Sequence, residues 1–214
     1  MRIGISTNVP ALREGLEVLL HDCAETESEW TFIDPSHAEG RCDVILLAQY
    51  GNLVTAGTNA LALREQQPPP KPPVVIMTDQ GGLRPFTLFT LFRVDGIRGV
   101  IAFDATRKVI QTALAAATTG NHFVDPTVGS FSFLETTRPW RPPTKREMGV
   151  FALLASGATV KDIANALNLS VKTVEAHKCN LMRKLGVHNK AQLTREAIQN
   201  GIVAIIQMEA AIRQ

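Results

Sequence analysis

Residues 144–187, "TKREMGVFALLASGATVKDIANALNLSVKTVEAHKCNLMRKLGV", carry the start signals of three consecutive short helices. Two Thr-x-x-acid sequences, Thr144 with Glu147 and Thr159 with Asp162, have the spacing of a capping box. Ser170 has the side chain of an N-cap for the third helix. The stretch therefore predicts a compact unit of short helices rather than a sheet.

A fourth helix is predicted just beyond this stretch, where Asn189 and Gln192 provide another start signal. The second and third helices are separated only by the short turn "NLS" at residues 168–170. Two helices joined by so short a turn are typical of a helix-turn-helix module.

A helical wheel of the third helix, at about 100° per residue, separates a core face from an outer face. The predicted core face contains Val174, Leu181 and Leu185, with His177 at its edge. The predicted outer face contains Lys172, Ala176, Cys179 and Arg183, flanked by Glu175 and Asn180. Such a mixture of cations, small and polar side chains suits entry into a DNA major groove, although a solvated helix face has a similar composition.

The segment resembles the LuxR/FixJ/NarL-type DNA-binding domain. The resemblance covers the Thr-x-x-Glu start, a Gly after the first helix, "IA..L", Ser-x-x-Thr-Val, and then His, Leu and "KLGV". It implies that Glu175, Ala176 and Cys179 occupy base-reading positions. It also implies a second set of residues that contact DNA phosphates or support such contacts: Lys161, Lys172, Thr173, His177 and Lys190.

The charge distribution agrees with this resemblance. Residues 1–137 contain 10 Lys and Arg against 15 Asp and Glu, whereas residues 138–214 contain 12 against 5. A basic module joined to an acidic one is typical of a regulator with a nucleic-acid-binding end. The chain has no run of about 18 apolar residues and no apolar signal region at its start, so we expect a cytoplasmic protein without a membrane partner.

The first 120 residues alternate short β-branched runs with helix-like segments. The predicted strands are 2–6, 30–33, 43–47, 73–78 and 99–103, and helical patterns follow most of them. The second crossover, 34–42, is too short for a normal helix. This (βα)5 pattern predicts a flavodoxin-like parallel sheet with helices on both faces.

This N-terminal pattern resembles a receiver domain, the phosphorylated part of a response regulator. The working positions of a receiver nevertheless differ: Ala48 stands for the nucleophile, Thr7 and Asn8 for the acidic pair, and Phe103 for the lysine, whereas Thr78 is retained. Alanine offers no nucleophile, and a neutral pair offers no charge for Mg²⁺. The resemblance thus implies a receiver-like domain that works without aspartyl phosphorylation and without a cofactor or a bound metal.

The domain boundaries are placed at 1–120 for the receiver-like domain, 121–143 for a linker and 144–214 for the helix-turn-helix domain. The linker contains four prolines and one glycine without sustained periodicity. The last segment, "GIVAIIQMEAAIRQ", is an apolar extension expected to pack on the domain or on a second subunit. Phe103 beside Ala48 suggests an apolar pocket. Phe86, Phe89 and Phe92 are spaced three apart and form a predicted row next to that pocket. The domain is therefore expected to be either a dimerisation platform or a ligand-binding site.

The sequence predicts a transcription regulator that binds double-stranded promoter DNA as a homodimer. One alternative is a redox-, metal- or ligand-sensing regulator that uses the pocket or the residues His21, Cys23, His37, Cys42 and Cys179. Another is an interaction module that sequesters a second regulator, because Glu175 would be unfavourable near phosphates. An enzyme is not expected, since no catalytic constellation or phosphate-binding loop occurs in the sequence.

Overall fold

The computed structural model describes residues 1–21, 31–34, 41–51, 53–81, 83–129 and 141–200. The chain divides into two compact units, Met1–Phe131 and Ser132–Gln214. The predicted apolar extension, the aromatic residues at 131–140 and most of the second crossover lie outside the described residues.

The first unit is built on a parallel sheet. Its strands are β1 (Arg2–Thr7), β2 (Thr31–Ile33), β3 (Val44–Ala48), β4 (Val74–Thr78), β5 (Ile97–Ala102) and β6 (Phe123–Val124). They pair in parallel in the order β2-β1-β3-β4-β5-β6. Every residue of β3 and β4 is buried, as expected for central strands with helices on both faces. The predicted flavodoxin-like sheet is confirmed.

Four helices accompany the sheet: α1 (Pro10–His21), α2 (Leu53–Glu65), α3 (Pro85–Leu91) and α4 (Arg107–Thr118). Leu16 of α1 and Ile110 of α4 pack in one core with Leu46 and Ala48 of β3. Because side chains alternate along a strand, Leu47 faces the opposite side of the sheet. The helix α2 contacts β4 and α3.

The first residues of the predicted linker belong to the sheet unit. The strand β6 pairs with β5, and the following Asp125 and Val128 are buried. The Asp125 carboxylate accepts hydrogen bonds from the Thr127 N–H at 2.9 Å, the Thr127 hydroxyl at 2.8 Å and the Ala102 N–H at 3.2 Å. The sequence boundary at 120 is therefore too early, because a strand of two residues is too short to show a periodicity.

The second unit contains α5 (Lys145–Ala155), α6 (Val160–Leu167), α7 (Val171–Leu185) and α8 (Lys190–Gln199). Both capping boxes form, with Thr144 and Glu147 at α5 and Thr159 and Asp162 at α6. Ser170 and Asn189 cap α7 and α8. The helices enclose buried apolar side chains that include Phe151, Ile163, Val174, Leu181 and Leu193. The predicted four-helix module with a helix-turn-helix is confirmed.

No helix in the described part of the chain has the length and apolarity needed to cross a bilayer.

Candidate functional site

The outer face of α7 is the first candidate site. Lys172, Ala176, Cys179 and Arg183 are exposed, whereas Val174 and Leu181 on the other side of the helix are buried. This burial pattern agrees with the helical wheel. Burial of the apolar side chains fixes the rotation of the helix, so the predicted outer face is the exposed one.

The turn before α7 is held by local hydrogen bonds. Asn168 ends α6 in the left-handed conformation, with φ 54° and ψ 49°, which asparagine tolerates better than most residues. The Thr173 N–H donates to Ser170 Oγ at 3.0 Å, and the two hydroxyl oxygens lie 2.7 Å apart. Thr173, predicted near a phosphate, thus helps to form the start of α7.

Glu175 on the candidate reading face has a cationic partner that the sequence analysis did not identify. Lys178 Nζ lies 2.9 Å from Glu175 Oε2, one turn further along the helix. The carboxylate side chain is 45% exposed, so it reaches solvent while its charge is compensated. An i,i+3 spacing of opposite charges in the sequence is the signal that could have indicated this pair.

Cationic side chains surround the same helix. Lys161, Lys172 and Lys190 are exposed, and none of them pairs with an acidic group among the described residues. Arg183 donates to Asn180 Oδ1 at 2.8 Å and stays exposed. Ammonium groups of this kind are available for phosphate oxygens.

An ion pair anchors the far end of α7 to α5. Lys184 Nζ lies 2.6 Å from Glu147 Oε2, and the Glu147 side chain is only 5% exposed. The same carboxylate accepts the Thr144 N–H at 2.7 Å. Burial acts to raise the pKa of Glu147, but the hydrogen bonds from Lys184 and Thr144 outweigh it and the pKa is lowered. The pair therefore fixes α7 relative to the first helix of the unit.

The second candidate site is the carboxyl edge of the sheet, where a receiver would be phosphorylated. The strand register places Thr7 beside Ala48, Ala48 beside Met77, and Thr78 beside Ala102. Phe103 follows directly and donates its N–H to the Thr78 carbonyl at 3.0 Å. The residues singled out on separate strands therefore do lie at one edge.

Hydroxyl groups at this edge are used locally. Thr7 Oγ1 accepts the Val9 N–H at 3.2 Å, and Thr78 Oγ1 accepts the Gln80 N–H at 3.1 Å. Thr78 is buried, whereas Asn8 is exposed. Both hydroxyls thus shape the loops that leave the strands.

Phe103 stacks on Tyr50, with ring centroids 4.3 Å apart and planes at 24°. Tyr50 is 54% exposed, so this pair lies at the surface. Two hydrogen bonds join the loop that bears Tyr50 to the loop after β4. The Gly51 N–H donates to Asp79 Oδ1 at 3.1 Å, and the Gln80 side chain donates to the Gly51 carbonyl at 2.9 Å.

A cleft of about 370 Å³ lies beside this edge. It is lined by Ser6, Thr7, Asn8, Leu47, Ala48, Gln49, Asn59, Ala62, Leu63 and Gln66. Most of these residues are polar, and Phe103 is not among them. The row at α3 is also absent from the lining: Phe86 is buried against Phe89, and Phe92 packs on His122.

Two of the three cysteines are described, and their environments differ. Cys42 is buried, and burial together with nearby Asp43 raises the pKa of its thiol to about 11. Cys179 is exposed on α7. Within the described residues, no three His, Cys, Asp or Glu side chains are grouped so as to hold a metal ion. Cys23 and His37 lie outside these residues.

Residues 143–197 match the family described as bacterial regulatory proteins of the luxR family. The chain is similar to the oxygen regulatory protein NreC of Staphylococcus carnosus, with 32% identity over 127 residues that cover 54% of this chain and 58% of NreC. It is also similar to the uncharacterized response regulatory protein YgeK of Escherichia coli, with 47% identity over 62 residues that cover 29% of this chain and 42% of YgeK. The chain spans about half the length of these curated relatives.

A solved structure, RcsB from Salmonella enterica serovar Typhimurium bound to a promoter, matches 91% of this chain and 96% of its own at 23% identity, with a TM-score of 0.48. The family match covers α5, α6, α7 and most of α8 in the second unit. The chain combines a receiver-like parallel sheet with a LuxR-type helix-turn-helix domain.

Proposed function

We propose that this chain is a sequence-specific, DNA-binding transcription regulator that acts in the cytoplasm as a homodimer and without aspartyl phosphorylation. The observation that carries the proposal is the outer face of α7, where Lys172, Ala176, Cys179 and Arg183 are exposed together. A helix that presents cations and small polar groups on one side fits a major groove.

The contacts divide into two kinds. Glu175, Ala176 and Cys179 face base edges, and the Lys178 partner of Glu175 compensates a charge that phosphates would otherwise repel. Lys161, Lys172, Arg183 and Lys190, with Thr173 and His177 supporting them, face phosphates. Phosphate contacts position the helix, and base contacts select the sequence.

A salt-dependent binding assay tests the DNA-binding part. DNA fragments are selected from a random pool with the full chain, and binding is measured by fluorescence anisotropy between 50 and 200 mM salt. We expect Lys172→Glu and Lys190→Glu each to weaken binding by about tenfold or more and to flatten the salt dependence, because each lost phosphate contact removes a released counterion.

Lys108→Glu is the matched control, since Lys108 is exposed on α4 of the other unit and undergoes the same change of charge. Equal losses in all three variants would mean that net charge, and not α7, governs the affinity. If the chain forms no salt-sensitive, sequence-preferring complex with DNA, the proposal is refuted. If it binds a second regulator protein and no DNA, the alternative of a sequestering module is favoured.

The receiver-like unit is proposed to work without phosphorylation because Ala48 ends β3 where a carboxylate nucleophile would be needed. Thr7 and Asn8 offer no carboxylate to a divalent cation at the positions of the acidic pair. Incubation with acetyl phosphate and Mg²⁺ should leave the mass of the intact protein and its DNA affinity unchanged. A phosphorylated species at any aspartate that alters DNA affinity would contradict this part.

The dimer is proposed because helix-turn-helix proteins read paired half-sites, about 10 bp apart, with two copies of one surface. Light scattering of the protein with and without a selected site tests it. Protection of a single half-site by a monomer would contradict it. The apolar residues Ile202, Val203, Ile205, Ile206 and Ile212 of the extension lie outside the described residues and contribute no structural argument.

Redox sensing is the second candidate function, because the thiol of Cys179 on α7 is exposed. Its oxidation would add polar bulk on the proposed reading face. Peroxide should then lower the DNA affinity of the natural chain but not that of Cys179→Ser. Equal affinities before and after peroxide would dismiss this function.

A further inference from the structure

The cleft at the sheet edge occupies the place where open parallel sheets usually bind ligands. Its lining includes Thr7 at the end of β1 and Ala48 at the end of β3. These two strands are neighbours, and the strand order reverses between them. Ligands of open parallel sheets bind outside the carboxyl ends of the strands at such a switch point.

The chemistry of the cleft differs from that of a phosphate or metal site. None of its ten described lining residues carries a charge. A charged ligand would lose hydration there without gaining an opposite charge, which is costly. An uncharged molecule with several hydrogen-bonding atoms suits the hydroxyl and amide side chains.

Two amides in the cleft are already oriented by each other. Asn59 Nδ2 donates to Gln49 Oε1 at 2.9 Å. This bond leaves the Gln49 amino group as a donor and the Asn59 side-chain carbonyl as an acceptor, neither of which has another hydrogen bond among the described residues. Paired donors and acceptors of Asn and Gln side chains match the edge of a nucleobase.

Apolar side chains supply the remaining surface. Leu47 of β3 and Ala62 and Leu63 of α2 belong to the lining. Such groups cover the faces of a planar ring. A sugar without a base fits less well, because no carboxylate and no aromatic ring lies among these lining residues. The volume of about 370 Å³ falls within the range of small-molecule sites, roughly 300–1,000 Å³.

We propose that this cleft is a binding site for an uncharged nucleobase or nucleoside. The ring edge bonds to the amides of Gln49 and Asn59, and the ring faces contact the leucine and alanine side chains. This binding site goes beyond the proposed DNA function and does not depend on it, since all its residues lie in the sheet unit.

Isothermal titration calorimetry of the full chain tests the site. The probes are adenosine, guanosine, cytidine and uridine, together with their 5′-monophosphates. We expect at least one nucleoside to bind with a Kd below 1 mM and its monophosphate to bind at least tenfold more weakly. Asn59→Leu, which removes the amide but keeps much of the volume, should weaken the same nucleoside at least tenfold.

Ala62→Trp is the blocking variant, because Ala62 is exposed on α2 and lines the cleft, so a bulky side chain there fills the cleft without entering the core. Thr55→Trp is its control, since Thr55 is exposed on the same helix but does not line the cleft. Circular dichroism confirms that both variants fold. We expect binding to be lost in Ala62→Trp and unchanged in Thr55→Trp.

Failure of all four nucleosides to bind overturns the proposal, as does binding that survives Ala62→Trp or that is equally strong for the monophosphate. DNA affinity is measured in the same samples without nucleoside. A chain that binds DNA but no nucleoside refutes the cleft alone, whereas one that binds a nucleoside but no DNA refutes the regulator alone.

Discussion

Replacing Glu147 by alanine removes the cap at the start of α5 and the ion pair that joins α7 to α5. The carboxylate, 5% exposed, accepts the Thr144 N–H at 2.7 Å and lies 2.6 Å from Lys184 Nζ. Loss of the capping bond costs about 1 kcal/mol. Loss of a charge-assisted hydrogen bond costs about 1.5–3 kcal/mol. The lower part of that range applies, because the Lys184 side chain is 20% exposed and its Nζ still donates to the Pro142 carbonyl at 3.2 Å in the variant. The free energy of unfolding of the second unit should fall by about 3 kcal/mol.

Hydrogen exchange followed by mass spectrometry measures this loss in the full chain. Peptides from α5 and α7 should exchange about 100-fold faster in Glu147→Ala, since each 1.4 kcal/mol corresponds to a factor of ten. Glu175→Ala is the control in the same unit, because its 45% exposed pair with Lys178 should contribute less than about 1 kcal/mol. Peptides from the sheet unit should be unchanged in both variants.

The pH dependence gives an independent check with a defined sign. The pKa of Glu147 is lowered in the folded chain, so its stabilising contribution is complete above the ordinary value of 4.5 and is lost as the pH falls through the folded-state pKa. The difference between the natural chain and Glu147→Ala should therefore shrink on acidification below pH 4.5. A loss under 1 kcal/mol at pH 7, or a difference that grows in acid, would refute this reasoning.

Three further outcomes are expected. Asp125→Ala should lower its unfolding free energy in urea by about 2–4 kcal/mol, because the buried carboxylate accepts three hydrogen bonds, and a cost below 1 kcal/mol would contradict this. Maleimide should label Cys179 but not Cys42 in the folded chain, as read by peptide mass spectrometry, since the Cys42 thiol is buried with a pKa of about 11; rapid labelling of Cys42 would show the opposite. Gly96→Ala should lower the melting temperature by several degrees, because Gly96 has a φ of +87° and an added Cβ would overlap the Arg64 side chain. An unchanged melting temperature would mean that the turn rearranges freely.

Much of the fold follows from local patterns. The caps at Thr144, Thr159, Ser170 and Asn189 were predicted from spacing and all form, because a cap depends only on residues within one helical turn. The strands β1, β3, β4 and β5 contain buried apolar runs, which the sequence shows whatever the order in which the strands pair. The missed strand β6 has two residues and owes its pairing to β5 alone.

The candidate sites were predicted unevenly. The outer face of α7 followed from the wheel because burial of Val174 and Leu181 sets the rotation of the helix. Phe103 does not line the described cleft, since its ring stacks on Tyr50, and the cleft combines amides and hydroxyls with aliphatic side chains. Sequence spacing contains no information on which of two neighbouring loops an aromatic ring contacts.

The sequence by itself determined the two-unit order, the helix starts and the absence of a nucleophile at position 48, because each depends on residue type or on short-range periodicity. Only the tertiary structure decided three contacts. Lys184 forms an ion pair with Glu147, Asp125 accepts a hydrogen bond from the Ala102 N–H at the end of β5, and Asn59 donates to Gln49 in the cleft. These contacts join residues up to 37 positions apart, so they arise when packing of the helices and the sheet brings distant side chains together.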